Sequence, residues 1–173
     1  MKKILIAVFL AFIILAVAVY IFGRKEYSVL ADYKNTTYTI DGQSVLLQNG
    51  VASTSSAPGS ASMTTTQYFG NEVRGDFNND GKEDVAFLLT QNGGGSGTFY
   101  YVVVALNTNK GFVGTNAILL GDRIAPESTE YQQGKIIVNY ADRAPADPMT
   151  AQPSVGVSRY FDVENGKLVE VTK

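Results

Sequence analysis

The feature that most constrains this chain is an apolar run near its N-terminus, residues 4–22, which holds no charged residue over 19 positions. As an α-helix the run would rise about 28 Å, close to the hydrocarbon thickness of a bilayer. A helix in a water-soluble core is rarely apolar on every face over such a length. Gly23 and the cations Arg24 and Lys25 end the run. The sequence therefore predicts a single N-terminal transmembrane helix.

This helix divides the chain and sets its expected location. The N-terminal tail is short and carries Lys2 and Lys3, which favours an N-terminus on the cytoplasmic side and a single-pass membrane protein with its C-terminal domain extracytoplasmic. An alternative stays open, because Ala16-Val17-Ala18 has the small-residue pattern of a signal-peptidase site, and cleavage there would give a secreted protein. The predicted parts are an anchor or uncleaved signal at residues 1–25, a stem at 26–35 and an extracytoplasmic β domain at 36–173.

The residue types that are missing exclude several kinds of chemistry. The chain has no Cys and no His, which excludes disulfides, thiolate nucleophiles, zinc sites built on those ligands and Ser-His-Asp triads. Four of its 14 cations flank the apolar run, so the rest of the chain sets ten cations against all 16 acids. Such an acidic domain repels phosphate backbones, and we expect no nucleic-acid partner. The predicted N-terminal transmembrane helix makes membrane lipid an expected partner.

Beyond the stem, the sequence is a series of short β-prone runs separated by turns. Asp41-Gly42 and Asn49-Gly50 each follow such a run, which is typical of β-hairpins. Residues 85–89 and 100–106 are almost continuously apolar, as in central strands that are buried on both faces. No stretch beyond the stem has a helical apolar stripe. The fold class predicted is therefore all-β and mostly antiparallel, as a sandwich or a partly closed barrel.

The strand boundaries follow from the same pattern. The Ser- and Thr-rich stretch 53–66 contains Pro58-Gly59, and we predict it to be a long exposed connection. Gly- and Asn-containing turns separate the remaining runs. The predicted strands are residues 36–40, 43–47, 66–73, 84–91, 98–106, 111–120, 135–140, 155–163 and 167–171.

One loop carries recognisable chemistry, the segment of residues 75–84. Oxygen-bearing side chains stand at alternate positions in Asp76, Asn78 and Asp80, and a further carboxylate follows in Asp84. Calcium takes about six to eight oxygen ligands, which such a loop can supply if it curls around the ion. The backbone carbonyl of Lys82 would be a further ligand, so its side chain need not approach the metal. These five residues are the predicted ligands of a calcium ion.

The loop is not an EF-hand, because Phe87 stands where an EF-hand has a bidentate Glu and a strand follows instead of a helix. It resembles the D-x-[DN]-x-D-G-x-x-D calcium turns of dockerins and of the FG-GAP segments in integrin-type propellers. That resemblance covers about ten residues and implies ion binding, not a propeller. The alternative is an ordinary Asx-rich turn between two strands, without a metal.

A broader resemblance involves four blocks in a fixed order: residues 75–84, the Gly-rich block 93–100, Leu-Gly-Asp-Arg at 120–123 and Asp-Pro-Met at 147–149. In this order they resemble an uncharacterised family of bacterial envelope proteins, which implies location and fold more than activity. Arg123 and Arg143 each follow an Asp and precede Asp147. They predict either a structural ionic network or a pocket that recognises carboxylates.

The function expected from the sequence is that of a membrane-anchored envelope module with a calcium-binding loop. Such a module would bind an envelope protein or a glycan, or would serve a structural role. The alternative is an envelope hydrolase that acts on glycans through paired carboxylates, whose spacing a sequence does not show. No catalytic residue is assigned, and whether the chain is an enzyme stays open.

Overall fold

The computed structural model describes residues 32–55 and 62–173. The membrane helix and the cleavage site predicted near the N-terminus lie outside these residues. No helix within the described ranges is long and apolar enough to cross a membrane. A 3-10 turn at Tyr33–Asn35 precedes the strands, which are β1 (Thr37–Ile40), β2 (Gln43–Leu46), β3 (Val51–Ser55), β4 (Met63–Gly75), β5 (Asp84–Asn92), β6 (Phe99–Thr108), β7 (Gly111–Gly114), β8 (Ile118–Asp122), β9 (Ala125–Gln132), β10 (Lys135–Asp142), β11 (Val155–Glu164) and β12 (Lys167–Val171).

The strands form three sheets. A six-stranded sheet has the order β3-β4-β5-β6-β7, and β8 pairs with β6 beside β7. A four-stranded sheet has the order β12-β11-β10-β9, and β1 and β2 form a separate hairpin. The pairings between these strands are antiparallel. The all-β, antiparallel prediction is confirmed, and the sheets do not close into a barrel.

The central strands β5 and β6 are buried on both faces, as predicted, because their side chains alternate between two cores. One face packs against the four-stranded sheet, in a core that includes Ala86, Leu88, Val102, Val104, Ile136, Val138, Phe161 and Leu168. The opposite face lies under the β1–β2 hairpin, in a core that includes Tyr38, Ile40, Val45, Val85, Phe87, Leu89 and Val103. The six-stranded sheet is thus the middle of three layers.

Two of the predicted boundaries are wrong. The stretch 53–66 is not simply a connection, since Ser53 pairs with Thr65 and Thr54 with Thr64 in the β3–β4 hairpin. Hydroxyl side chains occur in half-exposed strands as well as in loops, so the composition of this stretch does not distinguish a strand from a connection. The predicted strand 111–120 is interrupted at Thr115, whose hydroxyl accepts the Val104 N–H at 3.1 Å. It therefore becomes two strands, β7 and β8.

Strand β9, like β3, was not predicted at all. Its sequence is polar and contains Pro126 and Glu127, which are unfavourable in central strands. Both are acceptable here because β9 is an edge strand, paired only with β10. Its one large aromatic residue, Tyr131, packs on the core between the sheets and helps to position the loop described below.

Candidate metal centre

The predicted calcium loop connects β4 to β5 and has a fixed base. Gly75 and Asp84 are paired across the two strands. Phe77 is only 3% exposed, and its ring packs against Tyr131 with the ring centroids 4.8 Å apart. The Tyr131 hydroxyl donates to the Asp76 carbonyl at 3.0 Å. A Cβ at Gly75 would lie 2.7 Å from the Tyr131 ring, so glycine is required for this approach.

The first half of the loop curls around the Asp76 carboxylate. Its Oδ1 accepts the Asp80 N–H at 3.0 Å and its Oδ2 accepts the Gly81 N–H at 2.9 Å. The Asn78 Oδ1 accepts the same Asp80 N–H, also at 3.0 Å. The Oδ1 atoms of Asp76 and Asn78 therefore both lie 3.0 Å from the Asp80 nitrogen. The backbone is left-handed at Gly81, with φ of 83°, a conformation that glycine adopts without steric cost.

Asp80 and Lys82 interact with each other in the second half of the loop. The Asp80 Oδ1 accepts the Lys82 N–H at 2.9 Å, and its Oδ2 lies 3.3 Å from the Lys82 Nζ. Desolvation acts to raise the pKa of Asp80, but the contacts with Lys82 outweigh it and lower the pKa below its ordinary value. The Lys82 side chain thus contacts Asp80, a predicted calcium ligand. The prediction from the sequence involved only the backbone carbonyl of Lys82.

Asp84 lies at the base of the loop and is completely buried. Its Oδ2 accepts the Phe77 N–H at 3.0 Å, and its Oδ1 accepts the Asn107 N–H at 2.8 Å. Burial raises the pKa of Asp84, and the negative charges of Asp80 and Asp76 raise it further. The two N–H bonds act in the opposite direction and lower this pKa. This carboxylate ties the loop to β6.

The chemistry of the loop fits calcium, because carboxylate, amide and carbonyl oxygens are the ligands that this ion prefers. The structure brings Asp76 and Asn78 together, keeps Asp80 beside Lys82 and places Asp84 at the buried base. Within residues 32–55 and 62–173, no three acidic side chains are grouped so as to hold a metal ion. A metal-free Asx-rich turn would make the same N–H bonds. Calcium binding by Asp76, Asn78, Asp80, Lys82 and Asp84 therefore stays a prediction.

A second polar cluster, centred on Glu72, was not foreseen. The Glu72 Oε2 accepts the hydroxyls of Tyr33 and Tyr68, each at 2.9 Å, and its Oε1 lies 3.5 Å from the Arg74 Nη2. Desolvation acts to raise the pKa of Glu72, but the two hydroxyls and Arg74 outweigh it and lower the pKa below its ordinary value. The Lys34 Nζ lies 4.0 Å from the centroid of the Tyr68 ring. Nothing in the sequence links Tyr33 to Glu72, which is 39 residues away.

Arg123 and Arg143 serve the structure of their surroundings. The Arg143 guanidinium donates to the carbonyls of Ala151, Asp122 and Arg123, at 2.7, 3.2 and 3.0 Å. Arg123 pairs with Asp122 at 3.0 Å, and Asp122 also accepts the Thr98 N–H at 2.9 Å. These contacts favour the structural network over a carboxylate pocket.

The same contacts bring together three of the blocks noted in the sequence. Asp122, in the block 120–123, accepts the N–H of Thr98, in the block 93–100. Arg143 donates to carbonyls of the block 120–123. The Asp147 Oδ2 accepts the N–H of Ala144, next to Arg143, at 3.2 Å. Hydrogen bonds thus link the three blocks, directly or through Arg143 and Ala144.

The chain has no match among protein-family models, curated proteins or solved structures. The resemblance to bacterial envelope proteins, and the location that it implies, therefore stay predictions.

Proposed function

We propose that this domain is an extracytoplasmic binding or structural module of the cell envelope, tethered by its apolar N-terminal segment and stabilised by calcium in the loop 76–84. The observation that carries the calcium proposal is the curl of the loop, in which the Asp76 and Asn78 oxygens meet at one N–H. Phe77 and Asp84 fix the base of that curl. Binding would then require rearrangement mainly at Asp80.

The charges of the loop also support a cation. Burial is the main cause of the raised pKa of Asp84, and the negative charges of Asp80 and Asp76 raise it further, which means that both repel the Asp84 carboxylate. A calcium ion would relieve this repulsion. The Lys82 ammonium now contacts Asp80 at 3.3 Å, and the calcium ion would compete with it. An ion pair at the surface is a weak competitor, because water screens it.

Binding is better supported than glycan hydrolysis. A glycosidase needs a carboxylic acid whose pKa is raised and which can reach its substrate. Among the described carboxyl groups with a resolved shift, the pKa is lowered in Glu72, Asp80, Asp122 and Glu170. It is raised in Asp84, which is buried and accepts two backbone N–H bonds. That group is placed to hold the loop.

The experiment that tests the proposal compares melting temperatures in EDTA and in calcium. Calcium that binds only the folded state raises the melting temperature by mass action, and for this ligand set we expect a Kd of about 10⁻⁴ to 10⁻³ M. Asp76→Asn should abolish the calcium-dependent shift. The matched control is Glu83→Gln, which removes one charge from the same loop at a residue that is not a proposed ligand. It should keep the shift.

Full-length protein solubilised from the membrane fraction is the material for this comparison. Equal melting temperatures of the unsubstituted protein in EDTA and in millimolar calcium would contradict the calcium site. A loss of the shift in both variants would show that only the net charge of the loop matters.

A further inference from the structure

A pocket opens on the outer face of the four-stranded sheet. Ile136, Val138 and Phe161 lie in the core between the sheets, and side chains alternate between the two faces along a strand. Ile137 and Tyr160, which are paired between β10 and β11, therefore lie on the opposite face. Beside them is a cavity of about 280 Å³, here called the outer pocket. It is lined by Gln132, Gln133, Lys135, Ile137, Tyr160 and Lys173.

Two lysines give the outer pocket a positive charge in an otherwise acidic domain. The chain beyond residue 25 has ten of the 14 cations and all 16 acids, yet the lining includes Lys135 and Lys173 and no acidic side chain. Among the described residues, neither ammonium lies within 4.0 Å of a carboxylate oxygen, that of the chain terminus included. The Lys135 Nζ lies 3.4 Å from the Thr172 carbonyl oxygen, which is a long hydrogen bond. Both charges are therefore complementary to an anionic ligand.

The polar groups of the outer pocket differ from their neighbours on the same face of the sheet. Beside the pocket, the Asn139 amide donates to the Ser128 hydroxyl oxygen at 2.9 Å and to the Glu130 Oε1 at 3.2 Å. Within the part of the chain that the structure describes, the Gln133 amide and the Tyr160 hydroxyl have no such side-chain partner. These two groups can therefore bond to a ligand without breaking a contact within the protein.

The outer pocket also has an apolar part. Tyr160 and Ile137 are half-buried and offer carbon surface in the same lining as the two lysines. A bare inorganic anion would leave this surface in water, whereas a sugar ring has C–H groups that pack against aromatic and aliphatic side chains. Sugar hydroxyls also suit amide and phenol groups, which both donate and accept hydrogen bonds. Since the acidic domain repels a doubly charged phosphate more than a singly charged carboxylate, the lining fits a sugar that carries a carboxylate.

We propose that the outer pocket binds one carboxylate-bearing sugar residue of an acidic glycan. The carboxylate pairs with Lys135 and Lys173, and the sugar ring packs against Tyr160. The Gln133 amide and the Tyr160 hydroxyl bond to the ring hydroxyls. The cavity of about 280 Å³ is smaller than the sites of about 300–1,000 Å³ that hold drug-sized ligands, which limits the occupant to a single sugar ring. This site makes an acidic glycan the partner of the proposed binding module, but it is independent of calcium.

The test follows the backbone amides of Gln133 and Tyr160 by NMR in the full-length protein, held in a polyoxyethylene detergent that carries neither sugar nor phosphate. The probe is methyl β-glucuronide. Methyl β-glucoside has the same ring without the carboxylate, acetate has the carboxylate without the ring, and glucose 6-phosphate has a phosphate in place of the carboxylate. We expect a Kd of about 1 mM for the glucuronide and binding at least about tenfold weaker for each of the other three compounds.

Lys135→Gln removes one ammonium from the outer pocket and should weaken binding of the glucuronide about tenfold. Lys110→Gln is the matched control, because it removes the same charge in the turn between β6 and β7, and it should bind as before.

Amide shifts that do not respond to the glucuronide would overturn the proposal. An affinity for the glucoside, acetate or glucose 6-phosphate that equals or exceeds the affinity for the glucuronide would also overturn it. So would equal effects of the two lysine substitutions, because only the net charge of the domain would then matter. None of these results bears on the melting shift that tests calcium.

Discussion

The loop 76–84 and the Glu72 cluster are both built around carboxylates, but their partners come from different places. In the loop, Asp76 and Asn78 accept N–H groups within five residues of themselves. Glu72 accepts the hydroxyl of Tyr33, which is 39 residues away, and that of Tyr68. The loop is thus closed by its own backbone, whereas the cluster is completed by the distant Tyr33. A local sequence pattern can show the first arrangement but not the second.

Asp84 belongs to the loop but also accepts the N–H of the distant residue Asn107. We expect its substitution to have the largest effect on the free energy of unfolding. Asp84→Ala would leave the buried N–H groups of Phe77 and Asn107 without an acceptor. Each such donor costs about 1–3 kcal/mol, so we expect a loss of about 2–6 kcal/mol in the free energy of unfolding. Urea denaturation in EDTA measures this loss. A loss below about 1 kcal/mol would show that water replaces the carboxylate and that the base of the loop is not rigid.

Glu72→Gln tests the tertiary cluster and should have an intermediate effect. We expect a loss of about 1 kcal/mol at neutral pH, while Glu127→Gln, at an exposed acid of β9, should change little. The pKa of Glu72 is lower in the folded state, so its contribution is present above the unfolded pKa of about 4.3. The contribution disappears as the pH falls through the folded pKa. Stability differences between protein and variant that persist at pH 2 would contradict this origin.

Lys82→Ala sharpens the contrast within the loop and should have the smallest effect on stability. The Lys82 side chain is about one-third exposed and makes only a surface ion pair with Asp80. Its removal should leave the melting temperature in EDTA almost unchanged. Calcium should bind slightly more tightly, because no ammonium competes for Asp80. Calorimetric titration of the two proteins compares the affinities, and much weaker binding by the variant would mean that the side chain supports the site.

Much of the fold could be predicted because its causes are local. Asp41-Gly42 has positive φ at both residues, as hairpins of this kind require, and the continuous apolar runs of β5 and β6 correspond to burial on both faces. Strand β9 could not be predicted, since β10 and the core around Tyr131 stabilise it rather than its own sequence.

The candidate site divides in the same way. The curl of Asp76, Asn78 and Gly81 follows from turn chemistry that the spacing shows. The burial of Asp84 and its bond to Asn107 depend on the pairing of β5 with β6, which a loop motif does not reveal.

A crystal structure of the full-length protein grown in millimolar calcium would show whether the loop 76–84 holds an ion. We predict one ion in the loop, with the side-chain oxygens of Asp76, Asn78, Asp80 and Asp84 and the Lys82 carbonyl at about 2.3–2.6 Å from it. The Lys82 ammonium would then have left Asp80. A loop without an ion, in which Asp80 still pairs with Lys82, would show an ordinary metal-free turn.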